Sequence, residues 1–153
     1  MKLSEILKVN QQILRTRSFV LGGQNFKVRV PLASEMEIIN KRVSEVDITK
    51  KTEELIKPLL EKKETLQSDS IVYLDDDVIV DGRSVKNLAK ITAQTEQRVL
   101  EMVKLLVPEM EGANMDELTY EEINSEFPFP VQLELMKKIA EVISPSYEET
   151  KKN

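Results

Sequence analysis

Residues 81–108, DGRSVKNLAKITAQTEQRVLEMVKLLVP, form the longest stretch of the chain with a single helical pattern, and they lie near its middle. Ser84 is placed to cap a helix, because its hydroxyl can accept from an N–H of the first turn that has no partner inside the helix. Val85, Leu88, Thr92 (through its methyl), Val99, Val103 and Leu106 recur at three-and-four spacing and predict one apolar stripe. Pro108 disfavours helical dihedrals at Val107, so the helix is expected to stop there. A stripe this long needs partners, which the flanking segments must supply.

Upstream, Leu3, Ile6 and Leu7, extended by Ile13 and Leu14, mark a short N-terminal helix. Two strands follow, Ser18–Leu21 and Phe26–Val30, joined through GGQN. In the second, Phe26, Val28 and Val30 alternate with Lys27 and Arg29, as a half-buried strand requires. Ser34 to Val43 reads as a helix with Ser34 as cap and Glu37 closing a capping box. In Ile48–Leu66 an amphipathic helical pattern carries Leu55, Ile56, Leu59 and Leu60, with Pro58 inside it. Proline removes one intrahelical hydrogen bond, which leaves either a kinked helix or two helices. Ile71–Tyr73 and Val78–Val80 read as a second hairpin with Asp75-Asp76-Asp77 at its tip.

Downstream of the central helix, Thr119 and Glu122 make a capping box for a short helix. Pro130 suits the first position of the last one, Val131–Ile143, where a missing N–H costs nothing. Leu135, Met136, Ile139, Val142 and Ile143 share one face of that helix, and Ser144-Pro145-Ser146 ends it. Phe127 and Phe129 are expected to pack on the central stripe and clamp the last helix to it. The fold class is therefore α+β, mainly helical. It is a helical bundle with a small N-terminal β-hairpin and a second short hairpin before the long central helix. The expected organisation is a single domain over 1–153: a basic helix plus hairpin in 1–30, a helical body in 31–146, and a flexible tail in 147–153.

Composition narrows the function. With 153 residues, 41% apolar and 32% charged, the chain can bury a core. No apolar run is long enough to span a bilayer, and MKLSEILKVNQQILR lacks the continuous apolar region of a secretory signal. The net charge of −5 argues against nucleic acid as a partner. That charge is uneven. Residues 1–30 hold Lys2, Lys8, Arg15, Arg17, Lys27 and Arg29 against Glu5, a net +5, so the remainder carries −10. The basic region either packs on the acidic body or the next subunit, or acts as a docking arm.

Chemical machinery is sparse. There is no histidine or cysteine, hence neither the usual general base nor a thiol nucleophile. No glycine cluster forms a phosphate loop, and the Asp75–Asp77 run fails the calcium-loop pattern, with Val80 and Lys86 where glycine and glutamate belong. The chain is read as a non-enzyme with no catalytic, metal or cofactor site, binding through apolar surface. Six methionines suit either core filling or contact with varied partners.

FKVRVPLASEMEIINKRV, a strand followed by proline and a helix, resembles the N-terminal part of tail assembly chaperones from long-tailed (siphovirus-type) bacteriophages. LTYEEINSEFPFPVQLELMKKIAEVIS resembles the same family, with a TxEE-like helix start leading through prolines into a last amphipathic helix. The two stretches cover about half of the chain.

The resemblance implies an oligomeric chaperone in the host cell cytoplasm. It would coat the helical tape measure protein during tail tube assembly, with the major tail protein as a further contact and neither nucleic acid nor membrane as partner. It also implies a second, longer frameshifted product, with which an A-rich codon run for Lys151-Lys152-Asn153 is compatible. A tape measure is a long chain of amphipathic helices that would self-associate unshielded, so helix-in-groove contact is the expected mode. Between the central and last helices, Val99, Met102, Leu106, Met136 and Ile139 either line that groove or form intramolecular core. Phe127 and Phe129 complete the partner-binding set. A structural phage component such as a head–tail adaptor, or a regulatory protein-interaction module, would share the same features.

Overall fold

A computed structural model describes residues 2–65 and 67–144. The tail 147–153, the Lys151–Asn153 run, and Pro145-Ser146 lie outside the described residues. Helix occupies 55% and strand 15% of the chain, which places it in the α+β class, mainly helical. Contacts divide it into two units, one of residues 1–40 and 98–153 and the other of residues 41–97.

The first unit begins with two short helices, α1 (Leu3–Leu7) and α2 (Gln11–Leu14), rather than one. The break is at Lys8, which takes a left-handed conformation and caps α1, and Asn10 then caps α2 by accepting from Gln12 and Ile13. Strands β1 (Thr16–Leu21) and β2 (Gln24–Arg29) pair antiparallel. The turn is Gly22-Gly23 alone, both residues at positive φ, so Gln24 and Asn25 belong to the strand. A two-residue turn of this hand matches the strands' own twist, and glycine adopts it without a Cβ penalty. Its register sets Phe19 opposite Phe26, with rings stacked 5.3 Å apart.

Helix α3 (Ala33–Ser44) starts before Ser34, which therefore sits in its first turn and is not the expected cap. Glu35 supplies the closing contact instead, accepting from the Leu32 N–H at 3.3 Å. It also receives Arg15 Nη2 at 2.8 Å and Arg29 Nη1 at 2.6 Å, so one carboxylate ties α3 to both arms of the hairpin at its open end. The Arg29 hydrogen bond, outweighing the cost of burial, holds the Glu35 carboxyl below its ordinary pKa.

The central helix, α5 (Val85–Val103), ends short of the position that Pro108 suggested. Leu105 and Leu106 close its last turn by donating to the carbonyls of Met102 and Val103, each at 3.0 Å. The chain then runs extended along β2: Arg29 N–H donates to Leu105 C=O and Val107 N–H to Lys27 C=O, both at 2.8 Å. Leu106 bridges Val28. Pro108 favours this extended backbone at Val107, and the pairing satisfies groups on β2 that a longer helix would have left open.

Helix α6 (Tyr120–Glu126) follows a single 3-10 turn at Met115–Glu117. Its Thr119 cap forms as expected, accepting from Glu122 N–H at 3.3 Å, although the Glu122 carboxylate receives the Thr119 hydroxyl rather than a backbone N–H. The last helix, α7, runs Phe129–Ile143, with Pro130 at its second position, one later than the sequence suggested.

Two clusters make the core of this unit. Phe19, Val28, Ile39, Met102, Leu105, Leu135 and Ile139 form the larger one, and Val99, Val103 and Ile123 the smaller. On α7 the expected face is the buried one, with Leu135 and Ile139 innermost and Met136, Val142 and Ile143 at its margin.

The second unit holds helix α4 (Thr49–Glu61), a single helix with Pro58 in its last turn and a half still, which answers the choice that proline left open. Strands β3 (Ile71–Tyr73), β4 (Val78–Val80) and β5 (Arg83–Ser84) form an antiparallel sheet in the order β3-β4-β5. The expected hairpin is there, extended by a short third strand across the positive-φ pair Asp81-Gly82. Val43, Val78, Val85, Ala89 and Ala93 are its buried apolar residues. The stripe on α5 therefore passes through two alanines, while Leu88, expected in it, is exposed.

Candidate protein-binding surfaces

The residues picked out for partner contact separate sharply by burial. Val99 and Ile139 are wholly enclosed and Met102 nearly so. Of the two roles that their spacing allowed, core is the one they fill in this fold. Leu106 and Met136 are partly buried and border both clusters. Phe127 and Phe129 are exposed by 39% and 46%. They do not clamp α7 against the central stripe, which corrects that expectation.

The clamp is polar instead. Gln132, on the first turns of α7, is fully buried. Its Oε1 accepts from the Tyr120 hydroxyl at 2.7 Å, while its Nε2 donates to Asn124 Oδ1 at 3.1 Å and to the Phe127 carbonyl at 2.8 Å. One amide thus fastens both ends of α6 and the link into α7. A buried amide with every group satisfied fixes geometry, because any displacement strands a polar atom in the interior. Nothing in the sequence marked Gln132, since a glutamine on an amphipathic helix usually faces water.

The same clamp keeps the Phe127–Phe129 turn in view. Phe127 and Pro128 are both extended, at φ −121°, ψ 124° and φ −59°, ψ 150°. Pro128 restricts Phe127 to such dihedrals and fixes its own φ, and α7 begins at the next residue. With its carbonyl held by Gln132 and its backbone stiffened by prolines, the turn displays two aromatic side chains that lose little conformational freedom on contact. This turn follows an acidic stretch. Residues 109–129 contain Glu109, Glu111, Asp116, Glu117, Glu121, Glu122 and Glu126 and no lysine or arginine.

A second apolar surface lies on the two N-terminal helices. Neither α1 nor α2 buries a residue. Leu3, Ile6, Leu7, Val9, Ile13 and Leu14 are all exposed, Ile13 by 71%. They are nonetheless arranged, because Gln11 Nε2 donates to Ser4 Oγ at 2.7 Å and joins the two helices. Arg15 then anchors α2, its Nε donating to the Val30 carbonyl at 3.1 Å. Isolated exposed apolar residues are ordinary, but five on two short helices, with Val9 in the link between them, are the kind of feature that marks a contact surface.

In the second unit, the Asp75–Asp77 run divides by role. Asp75 and Asp76 are exposed at the hairpin tip. Asp77 accepts from the Ser84 hydroxyl and from the N–H groups of Val78 at 2.7 Å and Lys86 at 2.8 Å. Burial works to raise its pKa, but these donors outweigh burial and keep the carboxyl below its ordinary value. Ser84 in turn accepts from Asn87 N–H at 3.0 Å, the cap its position predicted. Asp77 is thus a structural joint between hairpin and helix. Among the described residues no group of three His, Cys, Asp or Glu side chains is gathered as a metal cage, and no helix is long and apolar enough to cross a membrane.

Comparison of the chain with protein families, with curated proteins and with solved structures found no match.

Proposed function

We propose that this chain is a tail assembly chaperone of a long-tailed bacteriophage. It binds apolar helical segments of a tape measure protein in the host cytoplasm and keeps them soluble while the tail tube is built. The likeness of FKVRVPLASEMEIINKRV and LTYEEINSEFPFPVQLELMKKIAEVIS to that family supports this function. The observation that carries it is the Phe127–Phe129 turn, two phenylalanines left 39% and 46% exposed where a buried amide holds the Phe127 carbonyl. Client contact is assigned to this turn and to the partly buried Leu106 and Met136, and not to Val99, Met102 and Ile139, which serve as core. A firm apolar display suits a partner whose helices vary in sequence but share a greasy side.

The test is co-expression with fragments of a tape measure protein. The expected result is that fragments insoluble alone become soluble and co-elute with the chain. Fragments that stay insoluble would refute the proposal. A chain that instead remains in purified virus particles would be a structural component, since a chaperone departs before assembly ends.

A further inference from the structure

We infer that the open edge of β1 takes up an extended segment of a foreign polypeptide as an added strand. The segment carries a carboxylate where it passes Arg17 and a branched apolar side chain where it passes Val20. The inference does not rest on the chaperone function, and it uses neither Phe127 nor Phe129.

The hairpin's own bonding pattern leaves that edge open. Along an antiparallel pair, residues that bond across it alternate with residues whose N–H and C=O point away from it. Lys27 and Arg29 point away from β1: the Lys27 carbonyl accepts from Val107 N–H and the Arg29 N–H donates to the Leu105 carbonyl, both at 2.8 Å. Their partners across the hairpin, Ser18 and Thr16, therefore point away from β2, and Val20 does so by the same alternation. Among the described residues no backbone bond reaches the N–H or C=O of these three. Ser18 and Val20 are also exposed. The far edge of β2 shows what such groups accept, since Leu106 and Val107 lie against it as an added segment. The edge of β1 has no cover of that kind. Nor does a proline, a lysine or a bulge interrupt Thr16–Leu21, the usual devices that close an edge to other chains.

Side chains select the occupant. A strand added to β1 sets its own side chains beside those of β1 on both faces of the sheet. Arg17 is exposed, and among the described residues it makes no ion pair. Val20 is 61% exposed. The two are three residues apart, so they lie on opposite faces. The fitting segment therefore has an acidic residue and a valine-like or isoleucine-like one at the same spacing. The β1 of a second copy, TRSFVL, brings no carboxylate to Arg17, so the chemistry favours a foreign segment over self-pairing. Main-chain bonds to Thr16, Ser18 and Val20 supply the attraction, and the two side-chain contacts supply the selection.

Amide hydrogen exchange on the whole chain tests this with a short synthetic peptide of alternating valine and threonine, carrying one glutamate three residues from an isoleucine. The Ser18 and Val20 amides should exchange freely in the protein alone and become protected when the peptide is added. The same peptide, methylated on the backbone nitrogens that would face β1, keeps its side chains and should protect neither amide. Lysine in place of the peptide's glutamate should weaken binding about fivefold, and Arg17→Glu should restore it. Ser18→Pro removes an N–H that the hairpin does not use and should abolish protection at Val20. Val20→Lys leaves the backbone whole and should weaken binding as well, with circular dichroism checking the fold of each variant. Ser18 and Val20 amides that stay unprotected at millimolar peptide overturn the inference, as does protection that survives the methylation. Protection that appears without peptide as the protein concentration rises would assign the edge to a second copy and overturn it too.

Discussion

The unit of residues 1–40 and 98–153 and the unit of residues 41–97 are built on opposite plans. The first encloses large side chains, among them Phe19, Ile39, Met102, Leu135 and Ile139. The second encloses valines and alanines, and its helix α4 buries no residue at all. Burial energy scales with apolar area, so the first unit draws on several kilocalories per mole that the second lacks. Polar ties carry more of the second unit. Lys51 reaches Glu96 at 3.0 Å and Glu54 at 3.3 Å, Lys63 lies over the Tyr73 ring at 5.1 Å, and Asp77 joins hairpin to helix. Burial lowers the Lys51 pKa and the two glutamates more than offset it, leaving it raised. The difference teaches where a partner can be held firmly. A rigid apolar display needs a dense core behind it, and only the first unit pairs such a core with exposed aromatics.

Substitutions can break or sharpen this contrast. The largest effect should come from Ile139→Ala, which empties the centre of the first unit and should cost about 3–4 kcal/mol in urea unfolding. Leu59→Ala on α4, half-buried in the second unit, should cost less than about 1.5 kcal/mol. Equal costs would erase the distinction between the units. Next comes Gln132→Ala. It deprives the Tyr120 hydroxyl, Asn124 and the Phe127 carbonyl of their partner and should cost about 2 kcal/mol by the same measurement.

Smaller effects belong to the second unit's polar joint. Ser84→Ala removes a helix cap and an Asp77 contact and should cost about 1 kcal/mol, read from the unfolding midpoint. Asp77 also predicts a pH dependence. Its folded carboxyl titrates below its unfolded one. Its contribution is therefore complete above the unfolded carboxylate range and fades as pH falls through the folded value. Asp77→Asn should lower stability at neutral pH and flatten that acid limb in unfolding curves taken at successive pH values.

Local signals in the sequence carried much of this architecture. The Gly-Gly turn, the Ser84 and Thr119 caps, and the α7 face of Leu135 and Ile139 follow from turn chemistry, capping and three-and-four spacing. What escaped depends on contacts distant in sequence. Leu106 and Val107 continue a helical apolar pattern, and it is β2 lying alongside that draws them out of the helix. Ala89 and Ala93 were overlooked beside the larger Leu88, although a close neighbour favours the smaller side chain. Phe127 and Phe129 looked too apolar to expose, and the buried amide that does the clamping in their place resembles any surface glutamine. At the candidate surface the sequence singled out the Phe127–Phe129 turn, and the structure leaves both side chains more exposed than their apolar character suggests.

On the function proposed above, Phe127 and Phe129 serve a partner and not the fold. One experiment on the Phe127→Ser, Phe129→Ser protein tests it most directly: thermal unfolding alongside capture of a soluble tape measure fragment. Cooperative unfolding within about 2 kcal/mol of the wild type, the cost of the part of each ring that the fold covers, with capture lost, is the predicted result. A protein that unfolds markedly earlier, or one that still captures the fragment as well as the wild type, would contradict it.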